Sequence, residues 1–222
     1  MLGIDLLALS AAGFLELAQY NGGCQAQKAP EVSVVASTKD VRYNFTVPKS
    51  QLANRKIDTV SPYSHTENTY VGGLMEGEIQ IRSNVNIQWA THPTTKETCF
   101  WYDKVNIQME IDPTILVARE FPRGTCQHNE ILNHEKKHVA VDRIIVKKYR
   151  KMMEDYLKKV LARVPVYGPV HAAKAPAVKK EMSDYIEKAL DMVTEKMYAE
   201  RRQRQQAVDN KNEYDRVSNA CN

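Results

Sequence analysis

The sequence predicts an α+β fold, with an antiparallel, β-rich N-terminal half packed on one long helix and then on a second. Three observations carry that expectation. Apolar and polar residues alternate through residues 31–120, the two-residue period of half-buried strands. From about Thr125 the period lengthens to three and four residues, as in an amphipathic helix. A connector from Val164 to Pro176, holding Pro165, Gly168, Pro169 and Pro176, then breaks the helical pattern once. The expected organisation is an N-terminal segment over residues 1–30, one domain over 31–218 (β-rich to 120, helical hairpin over 125–210) and a short tail over 219–222.

Taken in order, the chain opens with Leu6–Leu15, an apolar run about as long as a signal-peptide core, followed by Gly22-Gly23-Cys24. No Lys or Arg precedes Lys28, so the segment reads as an atypical export signal, with a buried N-terminal helix as the alternative. Cys24 is then a candidate lipidated residue. Val32, Val34, Val41, Tyr43 and Phe45 mark the first strands. Ile79, Ile81, Val85, Ile87 and Trp89, and after them Val105, Ile107, Met109 and Ile111, predict a long hairpin turning at His92–Lys96. Gly72-Gly73 reads as a turn signal. Ile131, His134, His138, Val141, Ile145, Tyr149, Met152, Tyr156, Val160 and Val164 share one stripe of a helix of about ten turns. Met182, Ile186, Ala189, Val193 and Met197 mark the second helix, and the polar stretch from Arg201 onward is expected to fray.

Composition excludes several classes. With 222 residues, 43 % hydrophobic and 26 % charged, the chain is neither collagen-like nor wholly disordered. A net charge of +4 is too mild to point to specific nucleic-acid binding. No run approaches the roughly 18 apolar residues of a spanning helix. Arg143, Lys147, Lys148, Arg150, Lys151, Lys158, Lys159 and Arg163 read as a solvated helix face, with peripheral contact to an anionic envelope surface as the alternative.

The chemistry lies in His134-Glu135-Lys136-Lys137-His138. Residues four apart stand one turn above each other, so both imidazoles can share one metal ion, Zn2+ being the expected cofactor. Glu135 then stands beside the metal as a general base for water attacking a carbonyl. The third ligand is expected downstream. Asp215 leads, with Glu181, Asp184, Glu187 and Asp191 of the second helix as alternatives, and Asp142 or His171 behind them. Asp142 fits better as a partner of a ligand. Tyr214 and His128 are candidates for stabilising an oxyanion, with packing roles as the alternative.

The segment Leu132–Val141 around this motif, preceded by a strand-rich region and a Cys, resembles the bacterial family of predicted secreted zinc-dependent proteases. Tyr214-Asp215-Arg216-Val217-Ser218 is similar to that family's Tyr-Asp-x-x-Thr element. The resemblance covers about residues 35–218 and implies a zincin-like fold and an exported metallopeptidase. Lys137 stands where the family has a small residue, and Ala220-Cys221 where it has His-Gly. These departures motivate a second hypothesis, a non-catalytic envelope or assembly protein with a degenerate or structural metal site. For the enzyme, the expected partner is a peptide or protein lying extended along a free sheet edge.

Four cysteines show no metal-binding spacing. Cys99 and Cys126 bracket the approach to the His-bearing helix and are expected to form a disulfide in an exported protein, periplasmic or secreted.

Overall fold

The computed structural model describes residues 24, 26, 28–55, 59–63, 71–163 and 166–221. The apolar run Leu6–Leu15 lies outside the described residues. The chain is α+β, as its sequence predicts. Its strands are β1 Glu31–Thr38, β2 Arg42–Asn44, β3 Gly73–Glu76, β4 Ile79–Thr91, β5 Glu97–Ile111, β6 Thr114–Val117 and β7 Tyr167–His171. Its helices are the single turn α1 Lys49–Leu52, the long α2 Cys126–Leu161 and α3 Ala175–Val208, and α4 Lys211–Asn219. These elements form two compact units.

The first unit comprises the described residues up to Val35, Ile81–Gln108 and Arg150–Thr194. Strand β5 lies between β1 and β4, and β7 also pairs with it, antiparallel. Only residues 92–96 join β4 to β5, too few for a parallel crossover, so the two form the antiparallel hairpin the alternation predicts. His92 N–H closes its turn on Glu97 O at 2.7 Å. Phe100, Trp101 and Tyr102 are buried in succession, so both faces of β5 are covered there. Tyr102 donates its hydroxyl to Met182 O at 2.8 Å, on an α3 stripe of Met182, Ile186, Ala189 and Val193 that is buried as expected. Trp89 is not: it is 52 % exposed, with the Lys179 ammonium 3.3 Å from its ring centroid.

The second unit comprises Ala36–Gln80, Met109–Tyr149 and Glu195–Asn222. Its sheet has the order β2-β6-β3. Strand β6 runs antiparallel to β3, but parallel to β2, which an all-antiparallel expectation misses. The long stretch of chain between β2 and β6 permits this, because a parallel pair needs a crossover. Ile115, Leu116, Val117, Phe121, Ile131 and Val139 form the core, with Leu74, Met75, Leu132 and Val217 packed against it. Hydrogen bonds from Arg201 to Asp142 and from Tyr149 to Lys196 O show that α2 and α3 run antiparallel within this unit. The stretch after Arg201 is ordered helix through Val208, and then α4. Asn210 caps α4 by accepting from Glu213 N–H at 3.0 Å.

The expected Cys99–Cys126 bridge is corrected. Cys24 bonds Cys99, and Cys126 bonds Cys221, each pair within its own unit. Cys99 and Cys126 fall in different units, and each sulfur is already bonded to a cysteine of its own unit. With its sulfur bonded to Cys99, Cys24 has no thiol left for a lipid. By the chain-entropy argument, loops with separations of 75 and 95 residues stabilise the fold by about 4–5 kcal/mol each. Two disulfides are compatible with an oxidising, exported environment. Among the described residues no helix is long and apolar enough to cross a membrane.

Candidate metal centre

His134 and His138 share one face of α2 because four residues make about one turn. Both are buried, each 8 % exposed. Opposite them, α3 presents Arg201 and Gln205, and the residue just past its end, Asp209, takes the next four-residue step. Asp209 Oδ1 lies 3.1 Å from His134 Nε2 and 3.1 Å from His138 Nε2, and the two nitrogens are 3.3 Å apart. A tetrahedral ion at about 2.0–2.1 Å from its donors spaces them by about 3.3 Å, so this triangle fits one face of such a site.

The outer ring nitrogens reinforce the fit. His138 Nδ1 lies 2.6 Å from the Gln205 carbonyl oxygen, and His134 Nδ1 lies 3.4 Å from Glu213 Oε1. Both partners only accept, so each Nδ1 carries a hydrogen and both Nε2 face the Asp209 carboxylate; a hydrogen on Nε2 donates to Asp209, and its loss frees the lone pair for a metal ion. Once those hydrogens leave, three electron-pair donors face one another and are stabilised by a cation among them. The buried group His134, His138 and Asp209 can hold a metal ion.

Electrostatics follow from burial and these neighbours. Burial disfavours the charged Asp209 carboxylate, yet hydrogen bonds from His134, His138 and Thr59 outweigh it and hold Asp209 well below the ordinary carboxylate range. For His138, burial opposes a charged ring, but Asp209 and Glu135 prevail and raise its pKa. Burial raises Tyr214, whose hydroxyl bonds Asp209. Its ring meets His134 edge-on at 5.6 Å.

Glu135 is buried beside the ligands, and desolvation pushes its carboxyl up to about 7 against the pull of both imidazoles. Strand β3 grips it. Met75 donates a backbone hydrogen bond to it, and a Cβ on Gly73 would stand 2.8 Å from Glu135 Oε1 and 2.5 Å from Ile131 Cγ2. Gly73 is therefore a strand residue required for close approach, not the turn its sequence suggests.

Lys137 donates at 2.6 Å to Glu213 Oε1, the oxygen that also faces His134 Nδ1. Arg216, also bound to Glu130, is the main reason Glu213 is held down to about 2.

The remaining candidates lie elsewhere. Asp215, the leading expectation for the third ligand, accepts from Tyr63 at 2.7 Å and Lys211 at 3.0 Å. On α4 each residue turns about 100°, so with Glu213 and Tyr214 facing the histidines Asp215 is carried past them. Asp142 is fully buried but gripped by Arg201, at 2.7 Å to Nε and 3.1 Å to the second oxygen. Arg201 is thus buried. Glu181, Asp184, Glu187, Asp191 and His171 belong to the first unit, where Asp184 pairs with Lys180. His128 holds Phe121 O at 3.1 Å and packs against Phe45, a structural role.

Asp209 was missed because the polar stretch was expected to fray. Its signal was nevertheless present: Arg201, Gln205 and Asp209 repeat at four-residue steps, the mirror of His134, His138 and Asp142. No protein-family model matches the chain, and no curated protein or solved structure matches it.

Proposed function

We propose that the chain is a zinc-dependent hydrolase of zincin type, a metallopeptidase acting in an exported compartment. The observation that carries this reading is the convergence of His134 Nε2, His138 Nε2 and Asp209 Oδ1 beside the buried carboxyl of Glu135. Two nitrogens and one carboxylate oxygen suit zinc, and three protein ligands leave a position for substrate or water, as in catalytic sites. Bound zinc supplies Lewis acidity: it polarises a carbonyl oxygen and lowers the pKa of water from about 15.7 to near 7.

The chain's own residues do the rest. Glu135 Oε takes a proton from the attacking water and returns it to the leaving amine, a task suited to a carboxyl pushed up to about 7. Gly73 and Met75 hold that carboxyl in place. Tyr214, bonded to Asp209 and set edge-on to His134, steadies two ligands at once. Strand β3 is an edge strand of its sheet, the kind of edge that an extended peptide can join as a further strand. The resemblance of the His134–His138 segment to secreted zinc-dependent proteases supports the same reading, and the two disulfides support export.

Elemental analysis of protein purified without an affinity tag should find about one zinc per chain, lost in His134→Ala and Asp209→Ala. With peptide substrates, Glu135→Gln should retain zinc and lose about 10²–10⁴-fold in kcat. A metal-free wild type ends the proposal. A zinc-loaded protein whose biological function survives Glu135→Gln assigns the metal a structural role instead.

A further inference from the structure

Beyond the ligands, a buried polar chain runs outward from His138. Gln205 Oε1 faces His138 Nδ1 at 2.6 Å, and Gln205 Nε2 donates to Asp142 Oδ1 at 2.8 Å and to His138 O at 3.2 Å. Arg201 grips Asp142 through Nε and Nη2, and the same Nη2 donates to Gly77 O at 3.2 Å, just past the end of β3. Asp142, Gln205 and Arg201 are all buried.

The orientation of the Gln205 amide is therefore dictated. The Asp142 carboxylate, balanced by the Arg201 guanidinium, only accepts, so the amide nitrogen must face it. The amide oxygen is left facing His138. An acceptor at Nδ1 requires the ring hydrogen there and frees Nε2 for the metal. Reversed, the amide would set a carbonyl oxygen against a carboxylate, repulsive in a water-excluded site, and a donor against Nδ1, which would drive the ring hydrogen to Nε2.

We propose that Gln205 is a positioning residue: its amide, oriented by Asp142 and Arg201, dictates which nitrogen of His138 faces the metal. The relay also ties that ligand to the chain leaving β3, the strand that grips Glu135, so ligand orientation and general-base placement share one support. This rests on the metal reading proposed above.

The test compares wild type with Gln205→Met, which keeps the length and removes the amide. Zinc dissociation constants come from chelator competition, geometry from the visible spectrum of the cobalt(II)-substituted protein, and the tautomer from nitrogen-15 NMR of the His138 ring. In zinc-loaded wild type the ring hydrogen should sit on Nδ1 and exchange slowly with solvent. Gln205→Met, with an unchanged far-ultraviolet spectrum, should bind zinc about 10–100-fold more weakly and show an altered cobalt spectrum.

Wild-type zinc affinity in folded Gln205→Met overturns the inference and leaves the metal reading intact, as does a zinc-loaded wild type with its ring hydrogen on Nε2. Should Gln205→Met not fold, the wild-type tautomer alone decides. A wild type that binds no zinc overturns both.

Discussion

Gly73 has no room for a methyl group, because Ile131 and the Glu135 carboxylate occupy the place a Cβ would take. Gly73→Ala should cost about 1–3 kcal/mol in stability, as overpacking does. It should lower peptide hydrolysis more than zinc affinity, since it displaces Glu135 and not the ligands; thermal melts check the stability, and a peptide assay beside a zinc titration checks the comparison. Asp209→Asn removes the anionic donor of the triangle and should weaken zinc binding at least about 100-fold, read by chelator competition. At this scale His134, Glu135 and His138 were legible because a four-residue step on a helix is local geometry. Asp209 was not, since it reaches the histidines only through the antiparallel register of two long helices. Asp215 misled because its sequence neighbourhood resembles a family element, whereas the side chain is turned to Tyr63 and Lys211.

Helices α2 and α3 are held together in the second unit by two polar clusters of different character. Asp142 and Arg201 are buried, so Asp142→Asn leaves a guanidinium short of its counter-charge and should cost about 3–5 kcal/mol, measured by denaturant unfolding. Glu200 is near the surface. The Lys148 ammonium does most to hold it down to about 2, against a smaller desolvation effect and with Tyr149 and Arg204 adding to it. A depressed carboxylate stabilises the fold above its unfolded pKa, near 4.5, and that contribution is lost as pH falls from there toward 2. Glu200→Gln should therefore flatten the acid limb of the unfolding free energy between pH 5 and pH 2, by under about 1 kcal/mol for a group near the surface. An unchanged acid limb would refute this. Both helices were legible from apolar periodicity, which depends on burial along one stripe. Strand β7 was not, because Pro and Gly in its sequence signal a break and its pairing with β5 is set by distant residues.

The whole chain is cross-linked by two long loops, and breaking them should be felt as a loss of stability rather than a change of fold class. Reduction with dithiothreitol should lower the unfolding free energy by up to about 4–5 kcal/mol per bridge. The Cys126–Cys221 bridge should affect zinc retention as well, because it anchors the segment carrying Glu213 and Tyr214; elemental analysis after reduction reads this. That the cysteines pair was legible from their even count, but which pair was not, since it depends on which residues the fold brings into one unit. The polar ladder between α2 and α3 has a bearing on how the chain finds this structure. Apolar stripes that repeat every turn are nearly indifferent to sliding by one turn, because each Ile, Leu or Met meets another of its kind. Arg201, Gln205 and Asp209 against Asp142, His138 and His134 are not interchangeable in that way. A slip of one turn would set the guanidinium against an imidazole and leave Asp142 buried with no cation. This polar ladder thus works as a ruler for folding, and the groups that could gather an ion also disfavour a pairing of the two helices slipped by one turn.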